Sequence, residues 1–200
     1  MNVVVIGAAG RTGRLIVAEA GRAGHRVTAA VRTPGGFDGV REVRADASEE
    51  GGLNEALAGQ DVVISAIGPA GRKAHGLYSG AARAIVAAAP RGRVIGITSS
   101  GVRADDPHFS AAYRWLVRPI VREQYADMAE MERIVGESAP DWTFVRPGRL
   151  LDTPATGAYR VGDGGTPAGG WQITRADLAA FIVAELTERR WSRRFPTIAH

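Results

Sequence analysis

The chain opens with a short run of β-branched residues that passes directly into a glycine-rich turn. Val3 to Ile6 predicts a buried strand, and the stretch Gly7-Ala8-Ala9-Gly10-Arg11-Thr12-Gly13 precedes an alanine-rich helical pattern that stops near Gly24. A strand, a GxxGxxG turn and a helix in this order are typical of a unit that holds a dinucleotide pyrophosphate at the helix N-terminus. A turn of purely structural origin is the alternative interpretation.

Apolar runs and helical patterns alternate along the rest of the chain. The main strands are predicted at 26–31, 40–44, 61–67, 93–98 and 142–145, and shorter ones at 158–161, 171–173 and 196–199, the last at a sheet edge. Helices are predicted after Ser48 as N-cap, over 74–89 up to Pro90, over 110–138 with a break at Pro119, and over 175–188 with Thr174 as cap. This alternation predicts an α/β fold, a single Rossmann-like doubly wound parallel sheet with helices on both faces. We expect one domain over 1–200, in which 151–200 forms a small substrate-side extension.

Composition excludes several classes of function. The net charge is +4, but the arginines are scattered and form no coherent basic stripe, so no nucleic-acid partner is expected. There is no cysteine, and the four histidines are far apart, so no metal site is expected. No stretch reaches the ~20 apolar residues of a membrane span, and the first residues do not resemble a signal peptide. The sequence therefore predicts a cytoplasmic protein without a membrane partner.

The second strand indicates which dinucleotide is bound. An NAD site usually carries an acid at the end of this strand, about 20 residues after the glycine loop, to bind the ribose 2′-hydroxyl. Residues 27–33 contain no acid, and Arg32 stands at the strand end. Arginine there can pair with a 2′-phosphate, and Arg11 of the glycine loop could supply a second cation. NADP(H) is therefore favoured over NAD(H), with an ordinary surface arginine as the alternative reading of Arg32.

Three further strand ends supply candidate cofactor contacts. Asp46 follows the third strand, where it could accept from the adenine amino group or serve as a helix N-terminal charge beside Ser48. The stretch Ser65-Ala66-Ile67-Gly68 ends the fourth strand, and its small residues leave room for ribose and diphosphate. Thr98 and Ser99 end the fifth strand and offer hydroxyls near the expected nicotinamide, with turn capping as the alternative.

Taken together, these segments resemble the atypical short-chain dehydrogenase/reductase superfamily, and within it the biliverdin-IXβ reductase/flavin reductase group. The resemblance is carried by 5–13, 27–32, 59–64, Arg146-Pro147-Gly148, Thr156-Gly157-Ala158-Tyr159 and Ile173-Thr174-Arg175-Ala176-Asp177-Leu178. It implies an NADPH-using reductase in which Thr12 binds the diphosphate, Arg32 binds the 2′-phosphate, and Ser99, Pro147 and Gly148 lie by the nicotinamide. Biliverdin reductases carry histidine where this chain has Gly148, which argues against biliverdin itself.

The chain lacks the Tyr-x-x-x-Lys pair of the best-known short-chain dehydrogenases, because its only lysine is Lys73 and Pro69 stands four residues earlier. An unassisted tyrosine is a poor base at neutral pH. We therefore expect hydride transfer to a small conjugated acceptor, a flavin or quinone, with Ser99 orienting it or relaying a proton. Tyr113 and Tyr125 are candidates for the substrate wall, whereas core packing is the favoured interpretation of Trp115.

Two alternatives stay open at this point. A non-catalytic NADP(H)-binding regulator needs the glycine loop and Arg32 but no acceptor site. An NAD(P)-dependent epimerase or isomerase is less favoured because the acid/base pair is absent. The sequence predicts no oligomeric state.

Overall fold

The computed structural model describes residues 1–69, 71, 75–88 and 92–200. The strands are β1 Asn2–Ile6, β2 Arg26–Val31, β3 Arg41–Arg44, β4 Val62–Ser65, β5 Arg93–Ile97, β6 Trp142–Pro147, β7 Arg149–Leu151, β8 Arg160–Asp163, β9 Gln172–Thr174 and β10 Pro196–Ala199. The α-helices are α1 Arg11–Arg22, α2 Asn54–Leu57, α3 Leu77–Ala87, α4 Arg122–Ser138 and α5 Arg175–Glu188. A 3₁₀ turn spans Ser100–Val102 and a π-helical turn spans Tyr113–Val117.

The main sheet has eight strands in the order β3-β2-β1-β4-β5-β6-β10-β8, and β7 pairs separately with β9. All pairings in the main sheet are parallel except that of β8 with β10. The order 3-2-1-4-5-6 is that of the doubly wound dinucleotide fold, and the strand order reverses between β1 and β4. The predicted α/β Rossmann-like fold is confirmed.

Helices cover both faces of the sheet because successive strand side chains point to opposite sides. Val3 and Val5 of β1 pack with α1 and α5, whereas Val4 and Ile6 pack with α3 and α4. Strands that are buried on both faces read as continuous apolar runs, which is why β1, β4 and β5 show no alternation in the sequence. Packing of these two apolar layers fixes the positions of the strand ends, and the residues of the candidate site lie at those ends.

The C-terminal part differs from the prediction in two places. Residues 196–199 do form a strand, but its predicted place at a sheet edge is wrong, since β10 lies between β6 and β8. The edge is β8, which begins two residues later than predicted and runs antiparallel. The strand β7 was not predicted, because three residues directly after β6 give no separate periodic signal.

Two helix predictions also need correction. Ser48 is not an N-cap, because the next α-helix begins only at Asn54 and the Ser48 hydroxyl donates to Asp46 instead. The predicted helix over 110–138 is divided around Pro119 into the π-helical turn and α4. The helix predicted over 74–89 is present as α3, while positions 74 and 89, Pro90 and Lys73 lie outside the described residues.

Candidate functional site

The predicted cofactor residues lie along one edge of the sheet. Gly7 follows β1, Arg32 follows β2, Ala66 follows β4 and Thr98 follows β5, while Pro147 ends β6. Because parallel strands share an edge at their carboxyl ends, the fold brings these separate segments to the same side of the molecule. The glycine loop stands at the switch point between β1 and β4, the place where open α/β sheets bind ligands.

The three glycines of the loop differ in what requires them. Gly7 has a φ of 77°, and a Cβ there would lie 2.8 Å from the Ala66 carbonyl oxygen. A Cβ at Gly13 would overlap the Gly7 carbonyl, so the protein itself requires glycine at both positions. Gly10 has a φ of −69°, which suits any residue, and its Cβ would meet only the Gly7 oxygen, at 3.2 Å. Turn structure therefore accounts for Gly7 and Gly13 but not for Gly10.

The N-terminus of α1 is suited to an anion. Gly10 is its N-cap, no side chain caps it, and its first turn holds no acidic residue. Helix geometry leaves the first N–H groups without intrahelical acceptors, and the helix dipole adds partial positive charge. Thr12 lies half-buried in this first turn. Since a Cβ would meet so little at the exposed Gly10, a diphosphate has room to approach these N–H groups.

The loop after β2 is held by two residues that sequence reasoning missed. The Glu42 carboxylate accepts from the backbone N–H groups of Gly35, Gly36 and Phe37, at 2.9, 3.2 and 3.0 Å. Desolvation opposes its ionisation, but these three hydrogen bonds hold the pKa of Glu42 below its usual value. Arg14 donates to the Gly36 carbonyl at 3.0 Å. Glu42 is thus already engaged by backbone and does not replace the missing ribose-binding acid at the end of β2.

Arg32 is exposed at the end of β2, and the described structure shows no hydrogen bond or ion pair for its guanidinium. The neighbouring Asp46 accepts from the Ser48 N–H and hydroxyl at 2.9 and 2.7 Å. These two hydrogen bonds lower the pKa of Asp46, and the charges of Arg32 and Arg44 add to the effect. Asp46 therefore lies in the electrostatic field of Arg32 without forming an ion pair with it.

Arg11, the other predicted cation, is engaged by Asp152. Its Nη1 lies 2.6 Å from one Asp152 oxygen, and Arg175 lies 2.6 Å from the other. No sequence pattern predicted that Asp152 would pair with Arg11, because it lies in a segment rich in Gly, Pro and Thr, 141 residues from Arg11.

Thr98 takes part in a buried polar network rather than pointing freely to the edge. Its hydroxyl donates to Glu132 Oε1 at 2.7 Å, and Arg146 binds both Glu132 oxygens at 2.9 and 2.6 Å. Glu132 is 6% exposed. The network joins α4 to the ends of β5 and β6, and sequence reasoning missed Glu132 because it occupies an ordinary helical position.

The three residues predicted for catalysis lie in one chain of contacts. Ser99 Oγ accepts from the Gly101 N–H at 3.3 Å, so it does cap the 3₁₀ turn. The ring of Tyr125 packs so closely on Gly101 that a Cβ there would overlap it. The Tyr125 and Tyr113 hydroxyls are 2.7 Å apart. Burial, and then the contact with Tyr125, raises the pKa of Tyr113 well above its usual value, which keeps its hydroxyl protonated at neutral pH and so unable to accept a proton from substrate.

Trp115 does not lie in the core. Its side chain is 80% exposed, so the packing interpretation favoured from the sequence is wrong. It belongs to the same π-helical turn as Tyr113, a local geometry with i→i+5 hydrogen bonds that the regular helical pattern did not indicate.

Gly148 shows why this chain departs from the biliverdin reductases. A Cβ at Gly148 would lie 2.5 Å from the Trp171 carbonyl oxygen, and the next residue donates its N–H to that same oxygen at 2.8 Å. The backbone entering β9 thus occupies the space that a side chain would need. A histidine does not fit at this position unless β9 shifts.

Asp177 explains the two C-terminal stretches that carried the resemblance. It is 1% exposed and accepts from the backbone of Thr156 and Gly157, the Thr174 hydroxyl and His200 Nε2. Desolvation opposes its ionisation, but the Thr156 and Gly157 N–H groups, with Thr174 and His200, hold the pKa of Asp177 far below its usual value. This carboxylate ties the segment after β7 to the first turn of α5.

Two surface depressions, of about 340 and 320 Å³, lie at the opposite, amino-terminal edge of the sheet, and neither includes a predicted site residue. Within the described ranges, no three His, Asp or Glu side chains are grouped so as to hold a metal ion. None of the described helices is both long and apolar enough to cross a membrane.

Comparison with known proteins identifies the family. A model of the NAD(P)H-binding family matches residues 7–189, from the glycine loop to the end of α5. The chain belongs to this NAD(P)H-binding family. The UPF0659 protein YMR090W of Saccharomyces cerevisiae is 28% identical over an alignment of 202 positions that covers 93% of this chain and 87% of the yeast protein.

Two solved structures of full length support the same placement. One, from Streptococcus pneumoniae and described as a candidate NADH-flavin reductase, is 26% identical with a TM-score of 0.81, covering 100% of this chain and 99% of that chain. Another, from Burkholderia pseudomallei and described as a candidate exported protein, is 30% identical with a TM-score of 0.81 and covers 100% of both chains. These findings confirm the atypical short-chain dehydrogenase/reductase superfamily and the general class of NAD(P)H-dependent oxidoreductase.

Proposed function

We propose that the protein is an NADPH-dependent reductase that passes hydride to a small conjugated acceptor, a flavin or a quinone. The observation that carries the cofactor choice is the exposed Arg32 guanidinium at the end of β2, where no acid stands. Glu42, the acid on the neighbouring strand β3, is occupied by three backbone N–H groups, and Asp46, which follows β3, accepts from the Ser48 N–H and hydroxyl. A 2′-phosphate would therefore meet the Arg32 cation and no carboxylate of β2, while Asp46 lies close enough for its charge to interact with that of Arg32.

The remaining cofactor contacts follow the edge of the sheet. The N–H groups of α1 and the Thr12 hydroxyl would hold the diphosphate, and Ala66, Ile67 and Gly68 would leave room beside it. Ser99, Pro147 and Gly148 would border the nicotinamide, which supplies a hydride when the cofactor is bound. The whole chain serves as one cofactor domain in this proposal, and residues 151–200 form its substrate side.

The acceptor class follows from what the chain's own side chains can do. Tyr113 and Tyr125 hydrogen-bond to each other, and the raised pKa of Tyr113 makes it unsuited to proton abstraction at neutral pH. Ser99 can orient an acceptor by a hydrogen bond but cannot act as a strong acid. A flavin or quinone needs mainly to be positioned, because it is itself the electron sink and water can supply its proton.

The test combines binding and turnover. Affinities for NADPH and NADH are measured first, and NADPH oxidation is then followed with FMN, FAD and a panel of small quinones. We expect tighter binding of NADPH and turnover with at least one acceptor. Equal affinity for both cofactors would contradict the role of Arg32, and tight NADPH binding without turnover on any acceptor would favour a non-catalytic NADP(H)-binding regulator.

A further inference from the structure

The segment formed by residues 107–122 contains more exposed large apolar side chains than any other stretch of the described chain. Of the seven large apolar side chains that are exposed among the described residues, four lie here: Trp115, Leu116, Val117 and Ile120, at 80, 69, 45 and 76%. The segment holds Arg114, Arg118 and Arg122 but no Asp or Glu, and the exposed acids Asp105 and Glu123 flank it. Contiguous apolar exposure of this kind usually marks a binding surface rather than ordinary solvent-facing structure.

The apolar side chains stand on ordered backbone. The Arg118 N–H donates to the Tyr113 carbonyl at 2.9 Å, and the Ile120 N–H donates to Val117 at 3.1 Å. The segment is fixed to the body by the Tyr113–Tyr125 hydroxyl contact and by Arg114, which donates to the Asp106 carbonyl at 2.7 Å. Helical turns satisfy their own backbone groups, so this surface can enter a less polar medium without leaving these N–H groups unpaired.

We propose that residues 107–122 seat the protein on the surface of an anionic lipid bilayer. Trp115, Leu116 and Ile120 would enter the boundary between head groups and acyl chains, a position that tryptophan favours because its ring is amphipathic. Arg114 and Arg122, both exposed, would meet lipid phosphates, and the three arginines of the segment outnumber the two exposed acids that flank it, Asp105 and Glu123. Surface docking needs no membrane span, so it agrees with the lack of a spanning helix among the described residues.

Charge argues against the other occupants of this surface. In a symmetric dimer the same patch would meet its own copy and bring together three arginines from each chain, more than the flanking Asp105 and Glu123 can pair. A nucleic acid would satisfy the arginines but offers no apolar phase for Leu116 and Ile120. An anionic bilayer supplies both the negative charge and the apolar phase. The proposal is independent of the reductase activity.

The test is vesicle flotation of the full chain without cofactor, on phosphatidylcholine alone and on an equal mixture with phosphatidylglycerol. We expect binding to the anionic vesicles, and at least about tenfold weaker binding for Trp115→Ala/Ile120→Ala. Arg114→Gln/Arg122→Gln should weaken it by about thirtyfold, since each arginine near an anionic surface contributes separately. Trp171→Ala is the matched control, because Trp171 is also exposed, at 59%, but lies outside the segment.

Four outcomes would overturn the proposal. These are no binding to anionic vesicles, equal binding to neutral ones, undiminished binding by the Trp115→Ala/Ile120→Ala variant, and an equal loss with Trp171→Ala. Sedimentation of the unmodified chain in buffer is run alongside. Self-association that Trp115→Ala/Ile120→Ala abolishes would instead assign the surface to a second copy.

Discussion

Asp152 accepts a 2.6 Å hydrogen bond from Arg11, the first residue of the helix that begins at the glycine loop. The other Asp152 oxygen accepts from Arg175 at 2.6 Å, at the start of α5. Arg11 is 72% exposed and Arg175 only 11%, so Asp152 is held firmly from the α5 side and loosely from the loop side. A phosphate bound at α1 would compete with Asp152 for Arg11.

We predict that Asp152→Asn tightens NADPH binding by a factor of about two to five, the range of an exposed ion pair. The reason is that the substitution removes an anion beside the proposed diphosphate site and releases Arg11. Isothermal titration at low salt measures the change. In an Arg11→Gln background the gain from Asp152→Asn should shrink, and an undiminished gain in that background would show that Arg11 is not the mediator.

Arg32→Ala should weaken NADPH binding by roughly 10- to 100-fold, because it removes a charge-assisted contact to the 2′-phosphate. NADH lacks that phosphate, so its affinity should stay the same. Arg41→Ala is the matched control, since Arg41 is an exposed arginine at the amino-terminal end of β3, and the candidate site lies at the carboxyl ends of the strands. A similar loss for NADH, or for the Arg41 variant, would mean that Arg32 acts through general charge rather than through the 2′-phosphate.

The parts of the fold that the sequence predicted are those with local signals. β1, the glycine loop and α1 are adjacent in the chain, and the buried strands β4 and β5 appear as short apolar runs. Thr174 was predicted as a cap, and its hydroxyl does accept from the Asp177 N–H at 2.9 Å. Each of these features depends on residues only a few positions apart, so periodicity and capping rules suffice.

The features that sequence reasoning missed depend on partners that are distant in the chain. In the sequence Glu132 looks like an ordinary helical residue. Only the fold brings Arg146 and Thr98 into hydrogen-bonding contact with it. Asp152 is 141 residues from Arg11. The position of β10 between β6 and β8 is set by tertiary pairing, and the four residues of β10 look the same at an edge as inside a sheet. A single sequence does not indicate which distant side chain forms an ion pair with a given charged residue.

Gly10→Val should abolish cofactor binding while the protein stays folded. Gly10 already has a φ that valine tolerates, and its Cβ would meet only one protein atom within 4 Å. The added side chain would instead occupy the proposed diphosphate space. Gly13→Ala is the contrasting variant, because its Cβ would overlap the Gly7 carbonyl, and it should lower the thermal midpoint. Circular dichroism and NADPH titration distinguish the two, and a folded Gly10→Val chain of undiminished affinity would contradict the phosphate role.

Asp177→Asn should destabilise the protein by about 1–3 kcal/mol at neutral pH, because donors buried around a lost carboxylate are left poorly satisfied. The folded-state pKa of Asp177 lies below its unfolded value, so its stabilising contribution is fully present above about pH 4 and declines as the pH falls. The gap in unfolding free energy between wild type and variant should therefore narrow below that pH. Urea unfolding across pH measures it, with the exposed Asp105→Asn as control. A difference in unfolding free energy between wild type and Asp177→Asn that is constant at all pH values would contradict the lowered pKa assigned to Asp177.

Ser99→Ala distinguishes orientation from proton transfer at the proposed nicotinamide site. Ser99 lies after β5 at the carboxyl edge, and its hydroxyl already accepts from the Gly101 N–H at 3.3 Å. If the serine only orients a flavin or quinone, turnover should fall about tenfold, the effect of losing one hydrogen bond of ~1.4 kcal/mol. If the serine relays an obligatory proton to a carbonyl, the loss should reach about 100-fold or more.

NADPH affinity should hardly change in either case, because Arg32 and the glycine loop contribute most of it. Steady-state kinetics beside cofactor titration separates these outcomes, and unchanged turnover on every accepted substrate would leave Ser99 as the cap of its 3₁₀ turn alone.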